Sequence, residues 1–474
     1  MEARVILKNT MSLSIATVLA RAISAIVGII VTRYLGPTSA GEYTIALTYV
    51  STVLLFTDFG MGQLMVQDGS RDPRKLPVYL GNTLAFRIIL IAIVNVASYF
   101  IAKPLGYNLN IQTMIIIFGI ANGLGALNNM IYNYFQARQE MYIAALYQFL
   151  STFFIGLGTI LVLVKQLGVI QISLVQPVVI AVITLLLYRT VVKVNPLRVE
   201  WSAMGVMVRG GLPFGISYLF YYIYFQVATF MLSLMRTTAE VGTYSAAYRL
   251  MSVLLFIPGI VTSVLYPILY QLGVGDMEKH KQTVEKIFKF LTAIGLLISL
   301  LFFLLADPII YFLYGAKFAA AGPALKLLSW FFLLEAMSFT IGDVLTTTNN
   351  QWTRTLIQGS AALGNVILNY FMIKQWGIYG ASAATLITEV FILLAYLFAV
   401  RKKVYDITIA RQLPGVLLAG LGLCAVVLLL PNANFFVSAF LAGIVYLILL
   451  DRLDKDVHKV FRYILSRLRI VRFS

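Results

Sequence analysis

Arg21 interrupts the first apolar run of the chain, and Ser14, Thr17, Ser24 and Gly28 fall on the same helical face. A charge in the middle of a bilayer costs about 3 kcal/mol or more, so it faces a partner or a water-filled cavity. A guanidinium presents a planar fork of donors that suits a diphosphate bidentately, which makes Arg21 a cavity cation aimed at an anionic substrate. The competing reading is a buried ion pair with Asp58 in the next run; both can hold in different states. Arg249 lies deep in its run, whereas Arg87 is nearer the end of its own, from which it can snorkel to the interface. Three acids stand in later runs, Glu335, Asp343 and Glu389. Any coupling to H⁺ or Na⁺ is expected to use them, and no cofactor is expected.

Polar residues recur in stripes elsewhere. Thr44, Thr48, Ser51, Asp58 and Gly62 share a face of the second run, and Asn122, Gly125, Asn129, Tyr132 and Gln136 a face of the fourth. Gln358, Asn365 and Asn369 line the eleventh; Ser382, Thr385 and Glu389 line the twelfth. Such stripes either line a shared central cavity or bond helix to helix. In "SYLFYYIYFQ", Tyr218, Tyr221, Tyr222 and Tyr224 surround the seventh run with rings that can stack on sugars or sit in an interfacial belt. The substrate-binding set is therefore Arg21, Asp58, Asn129, Tyr224, Arg249, Glu335 and Glu389. Catalytic and metal chemistry find no footing. Cys424 is the sole cysteine, and His280 and His458 are the only histidines, each among charged residues.

The elements that hold these residues must be membrane helices. Of 474 residues 60% are hydrophobic and 12% charged, where a soluble protein carries about 25% charged. A span needs about 20 apolar residues. Fourteen are expected, at 11–34, 41–65, 81–102, 112–135, 143–164, 167–189, 210–234, 241–268, 286–306, 322–346, 354–373, 378–400, 412–430 and 434–450. The first is long enough to span and is expected to be retained rather than cleaved. Of the 36 lysines and arginines, 26 then fall on one side and 7 on the other, with Arg21, Arg87 and Arg249 inside spans. That bias puts both termini in the cytoplasm of a multi-pass cell-membrane protein. The basic residues are spread over loops, so no nucleic-acid partner is expected. The tail 451–474 repeats Val457, Phe461, Ile464, Leu468 and Val471 between arginines, a basic amphipathic helix suited to the anionic leaflet or a plain positive-inside anchor.

"AGEYTIALTYVS" at Ala40–Ser51 returns as "VGTYSAAYRLMS" at Val241–Ser252, a constant offset of 201 that pairs Gly41 with Gly242 and Tyr43 with Tyr244. Six spans separate the copies, so the halves run parallel, as in one class of rocking transporters. The fold class is an all-α integral membrane protein of about 14 transmembrane helices, with two parallel-related six-helix lobes (1–200 and 201–405) and two extra helices (406–450). "TRYLGPTSAGEY", "DFGMG", "YFQARQEMYIAA", "LPFGIS", "EVGTYSAAYRL", "FLYGAKFAAAGPAL" and "GIYGASAATLITE" resemble, in that order, the polysaccharide branch of the multidrug/oligosaccharidyl-lipid/polysaccharide exporter superfamily, over essentially the whole chain. The resemblance implies flipping of lipid-linked oligosaccharide, with membrane lipids and polysaccharide-assembly proteins as partners. Many relatives carry an aspartate where this chain has Ala228, so coupling through that position is in doubt. A drug or metabolite:cation antiporter of the same superfamily is the first alternative. The second is a membrane-embedded glycan polymerase or ligase, against which the short outer loops argue.

Overall fold

Inside lipid every backbone N–H and C=O must be satisfied by the chain itself, which leaves helices as the form open to a chain this apolar. The computed structural model describes residues 2–57, 59–194, 198–407, 413–431 and 434–454, and among them there are helices and turns but no strand. Asp58 and the amphipathic tail from 455 lie outside the described residues. The helices form two compact units, Met1–Ser245 and Ala246–Ser474.

The first unit holds α1 (Glu2–Leu54), α2 (Met61–Arg71), α3 (Leu76–Ala102), α4 (Leu109–Ala137), α5 (Met141–Val164), α6 (Val169–Val194), α7 (Trp201–Met235) and the first turns of α8 (Thr238–Leu254). The second holds the rest of α8 with α9 (Phe256–Gly275), α10 (Met277–Leu304), α11 (Ala306–Tyr314), α12 (Ala321–Thr347) and α13 (Gln351–Lys403). It also holds a hairpin of α14 (Pro414–Leu429) and α15 (Phe435–Leu453). Ten described helices are long and apolar enough to cross a membrane, and Tyr222–Met235 and Pro414–Leu429 are shorter apolar stretches. Two of the ten are doubled: α1 is kinked at Gly36 (φ 73°, followed by Pro37) and α13 at Gly377 (φ 55°), backbone angles that glycine adopts freely.

One apolar run expected to be a single helix is broken. After α1 ends at Leu54, a 3₁₀ turn covers Leu55–Thr57, and Gly60 (φ 70°) precedes α2. No single helical face can therefore run from Thr44 to Gly62. Hydropathy does not register this break because the residues on either side stay apolar. Between α8 and α9, Leu255 keeps helical angles (φ −61°, ψ −14°), and Thr238–Thr262 reads as one continuous apolar helix.

The sequence repeat has a physical counterpart within the first unit. A Cβ on Gly41 would lie 1.7 Å from the Thr238 carbonyl oxygen, and one on Gly242 would lie 2.0 Å from that of Pro37. Pro37 and Thr238 are themselves 201 positions apart, so the contact is reciprocal: α1 and α8 cross backbone to backbone through equivalent glycines. Beside it, Glu42 accepts hydrogen bonds from Asn108 Nδ2 (2.6 Å) and Asn110 Nδ2 (3.3 Å) at the start of α4. Tyr43 packs edge-on against Phe118, with ring centroids 5.0 Å apart.

The core of the first unit stacks Leu80 and Leu84 on Met130, Phe135, Ile183 and Leu187. In the second unit the α14–α15 hairpin seats Val416, Leu423 and Tyr446 against Leu296 and Leu300 of α10. Tyr446 donates to the Ala293 carbonyl at 2.8 Å. An ion pair 3.0 Å long between Lys289 and Asp454, with side chains 10% and 8% exposed, closes the hairpin at its other end.

Candidate functional site

In the first unit, α1 carries Arg21 and Ser24 on its exposed surface and Gly28 buried. The side chains of Ser14 and Thr17 lie outside the described residues. Arg21 stands 15 residues before the Gly36 kink, about 22 Å along a helix, and three residues after the start of the candidate span Val18–Thr57. An exposed guanidinium there can meet water, a polar ligand or, by snorkelling, the interface. On α4, Asn129 and Gln136 are exposed, and a Cβ on Gly125 would meet nothing within 4 Å, so this face is open. Asn122 on the same face is tied inward instead, donating to Ser51 Oγ and accepting from Gln176 Nε2, both at 3.5 Å. The fourth-helix stripe thus divides into a bonding part and an open part.

Arg87 does not snorkel. It is 6% exposed, with Nη1 3.5 Å from the Met130 sulfur. On α7, Tyr222 and Tyr224 are half-buried and Tyr224 packs edge-on against Phe225 at 5.0 Å. The side chains of Tyr218 and Tyr221 lie outside the described residues.

In the second unit, Arg249 is half-buried and acts electrostatically on Tyr314, whose hydroxyl donates to the Ala246 carbonyl at 3.1 Å. The three acids all lie in this unit and are all buried: Glu335 at 8% exposed, Asp343 at 2% and Glu389 at 0%. Glu335 of α12 and Glu389 of the second half of α13 act electrostatically on each other. Asp343 is engaged differently. Its Oδ1 accepts from Arg354 Nη1 at 2.9 Å and from the Tyr266 hydroxyl of α9 at 2.5 Å. Arg354 Nη1 also donates to Thr346 Oγ1 at 2.8 Å. The guanidinium and the Tyr396 ring both lie against Gly342, where a Cβ would be 3.3 Å from Arg354 Nε and 3.0 Å from Tyr396 Cε2.

Arg354, Tyr266 and Tyr396 escaped the sequence reading. Arg354 stands at the start of its apolar run, where a cation normally belongs to the loop, yet the turn at Asn349–Asn350 folds it back on Asp343, eleven positions earlier. The eleventh-helix stripe is bonding rather than open. Asn365 donates to Thr388 Oγ1 at 2.8 Å, and Asn369 to Asn365 Oδ1 at 2.9 Å, both buried.

The model of the family described as "Polysaccharide biosynthesis protein" matches residues 6–273, more than half of the chain. The chain belongs to the polysaccharide biosynthesis protein family. A second model, MatE, matches residues 213–371. Among curated proteins, the probable low-salt glycan biosynthesis flippase Agl15 of Haloferax volcanii is 25% identical over 170 residues. That match covers 35% of this chain and 35% of the relative's length. Among solved structures, the lipid II flippase MurJ in an inward closed conformation superposes with a TM-score of 0.79 at 18% identity, covering 92% of this chain and 97% of that one. An inward-facing multidrug resistance MATE family transporter of the MOP superfamily gives 0.67 at 14%, covering 83% and 99%. This member of the polysaccharide biosynthesis protein family therefore has the all-helical fold of the MOP superfamily.

Proposed function

We propose that this protein flips a lipid-linked, diphosphate-bearing oligosaccharide from the inner to the outer leaflet of the cell membrane by alternating access, in the assembly of cell-surface polysaccharide. The exposed guanidinium of Arg21 in the first candidate span carries the reading. It offers a forked donor suited to a diphosphate, in a segment where a charge normally faces water or a polar partner. Membership of the polysaccharide biosynthesis family and the similarity to a glycan flippase support an oligosaccharide-lipid as that ligand. The prenyl tail stays in lipid, and the chain moves its substrate without making or breaking a covalent bond. The lysine and arginine bias orients the chain with both termini in the cytoplasm, where enzymes that build the sugar-lipid deliver it. Two lobes, 1–200 and 201–405, alternate access. Coupling to H⁺ runs through Glu335 and Glu389, because Asp343 is already compensated by Arg354.

Transport of fluorescent oligosaccharide-diphosphate-prenol into the protected leaflet of proteoliposomes tests this. Arg21→Ala should abolish it and Arg21→Lys restore it in part, since a point charge replaces a fork. If Arg21 serves only to neutralise Asp58, Arg21→Ala/Asp58→Ala should recover transport; on our reading it stays inactive. The match to MatE favours a cation antiporter as the second reading. Uptake of a cationic drug without lipid translocation in the same vesicles would select it.

A further inference from the structure

A primary amide in a membrane span needs a partner, because hydrocarbon offers it neither donor nor acceptor. On α4, which fills the candidate span Leu109–Ala137, Asn129 and Gln136 are exposed, and neither side-chain amide has a hydrogen-bond partner among the described residues. Gln136 stands at the end of the helix and can reach the interface. Asn129 cannot, since its short side chain starts eight residues, about 12 Å, from that end. Four residues deeper on the same face, Gly125 leaves open space: an added Cβ would meet nothing within 4 Å. An open face that carries an unsatisfied amide so far from the helix end lines water or a polar ligand.

The second unit carries the same face in closed form. The α4–α5 turn holds Gln139 at φ 61° and bonds Glu140 N to the Phe135 carbonyl at 2.9 Å; the α12–α13 turn holds Asn349 at φ 59° and bonds Asn350 N to the Leu345 carbonyl at 2.7 Å. Each residue of the second turn lies 210 positions after its counterpart (139 and 349, 140 and 350, 135 and 345), so α12 repeats α4 and the start of α13 repeats α5. At that offset Gly125, Tyr132 and Gln136 become Glu335, Gly342 and Thr346. Glu335 is buried, Gly342 lies under Arg354 and Tyr396, and Thr346 accepts from Arg354 at 2.8 Å. The counterpart of Arg354 in the first unit is the buried Ala144. Thus α13 covers this face with its own guanidinium, whereas α5 supplies only a methyl group in its place.

Each amide offers two N–H donors and a carbonyl acceptor without net charge. That set matches hydroxyl groups, which both donate and accept, whereas a diphosphate is held best by charged donors. Acids that could draw a cation here are engaged at either end of α4, Glu42 with Asn108 and Asn110, and Glu140 with Arg138 at 3.0 Å. We propose that the open face of α4, from Gln136 through Asn129 to Gly125, is a sugar subsite, in which Asn129 bonds sugar hydroxyls and Gly125 makes room for the ring. The inference rests on the flippase reading above and divides its ligand between two helices, the diphosphate at Arg21 of α1 and the glycan on α4.

The test is binding of radiolabelled probes to the full chain in nanodiscs, with empty nanodiscs subtracted. The probes are farnesyl diphosphate, bare or carrying a neutral mono-, di- or tetrasaccharide. The unsubstituted protein should hold the glycosylated probes more tightly than the bare one. Asn129→Leu should weaken the glycosylated probes about two- to tenfold, the worth of one neutral hydrogen bond. Gly125→Leu should weaken them by about tenfold, by filling the space for the ring. Neither should change binding of bare farnesyl diphosphate, whereas Arg21→Ala should weaken every probe. A glycosylated series bound no more tightly than the bare probe overturns the proposal. So does an undiminished sugar advantage in either leucine variant, or equal weakening of bare and glycosylated probes, which marks a structural role. Should Gly125→Leu not assemble, Asn129→Leu decides alone. Binding of no probe overturns the subsite and the flippase reading together. A sugar advantage lost in both leucine variants, in a protein that translocates no lipid, would remove the transport reading and leave the subsite standing.

Discussion

Substituting Gly41 by alanine adds one methyl group where two backbones already touch. The new Cβ would sit 1.7 Å from the Thr238 carbonyl oxygen, against the 3.0 Å that side-chain carbons keep, a shortfall of 1.3 Å. A carbonyl held in a helix cannot rotate away as a side-chain tip can, so α1 and α8 must separate. Overpacking of this kind costs about 1–3 kcal/mol, and a backbone clash belongs at the upper end. Against it stands the gain from replacing glycine in a helix, about 0.5–1 kcal/mol. The clash wins, and a net loss of about 2 kcal/mol is expected. Gly242→Ala, with a shortfall of 1.0 Å against Pro37, should behave alike. The double variant should cost less than the two singles together, because the first substitution already opens the gap that the second needs. Thermal melting of detergent-solubilised protein, followed by size-exclusion chromatography, reads the effect. Gly359→Ala is the control: nothing lies within 4 Å of its added Cβ, so the same change should stabilise by about 0.5–1 kcal/mol. If Gly41→Ala melts no lower than the unsubstituted protein while Gly359→Ala melts higher, the backbone contact is wrong.

Lys289→Met should destabilise by about 3–5 kcal/mol, because it leaves Asp454 charged and buried, and Lys289→Met/Asp454→Leu should recover most of the loss. A melting series of the two singles and the double checks this; equal losses in all three would refute it. Cys424→Ala should leave lipid translocation intact and shift stability by about 1 kcal/mol at most, since Cys424 is half-buried at the edge of the α10–α14–α15 cluster. Lost translocation with unchanged melting would reveal a role for the thiol. Asn365→Ala should lower the melting temperature, since it leaves Thr388 and Asn369 short of buried partners, a loss of about 1–3 kcal/mol.

Composition and the spacing of apolar runs were enough to read an all-helical membrane protein, because lipid leaves a chain few other forms. The repeat was legible for a sharper reason. Glycine at positions 41 and 242 marks a place where a side chain cannot fit, and the neighbour that excludes it turns out to be the other copy. What hydropathy cannot express is a change of direction between two apolar stretches. The break at Leu55–Gly60 was missed although Gly60 stands in the sequence as punctuation.

The polar stripes were readable as stripes but not as bonding or open, since that depends on which neighbour each one meets. Asn122 and Asn129 share a face of one helix, yet the first meets Ser51 and Gln176 while the second is exposed. Arg354 is the strongest case. By position in the sequence it reads as a loop cation like Arg401 or Lys402, and it adds to the expected charge bias as they do. Its partner lies on the far side of a hairpin turn whose residue Asn349 adopts φ 59°. Only when that turn closes do Asp343 and Arg354 meet, with Tyr266 arriving from a third helix. The charge that counts toward orientation in the sequence therefore counts toward the buried electrostatics in the fold. A basic residue within about one helical turn of a hairpin between two spans is best tested against the acids of both helices before it is assigned to the loop.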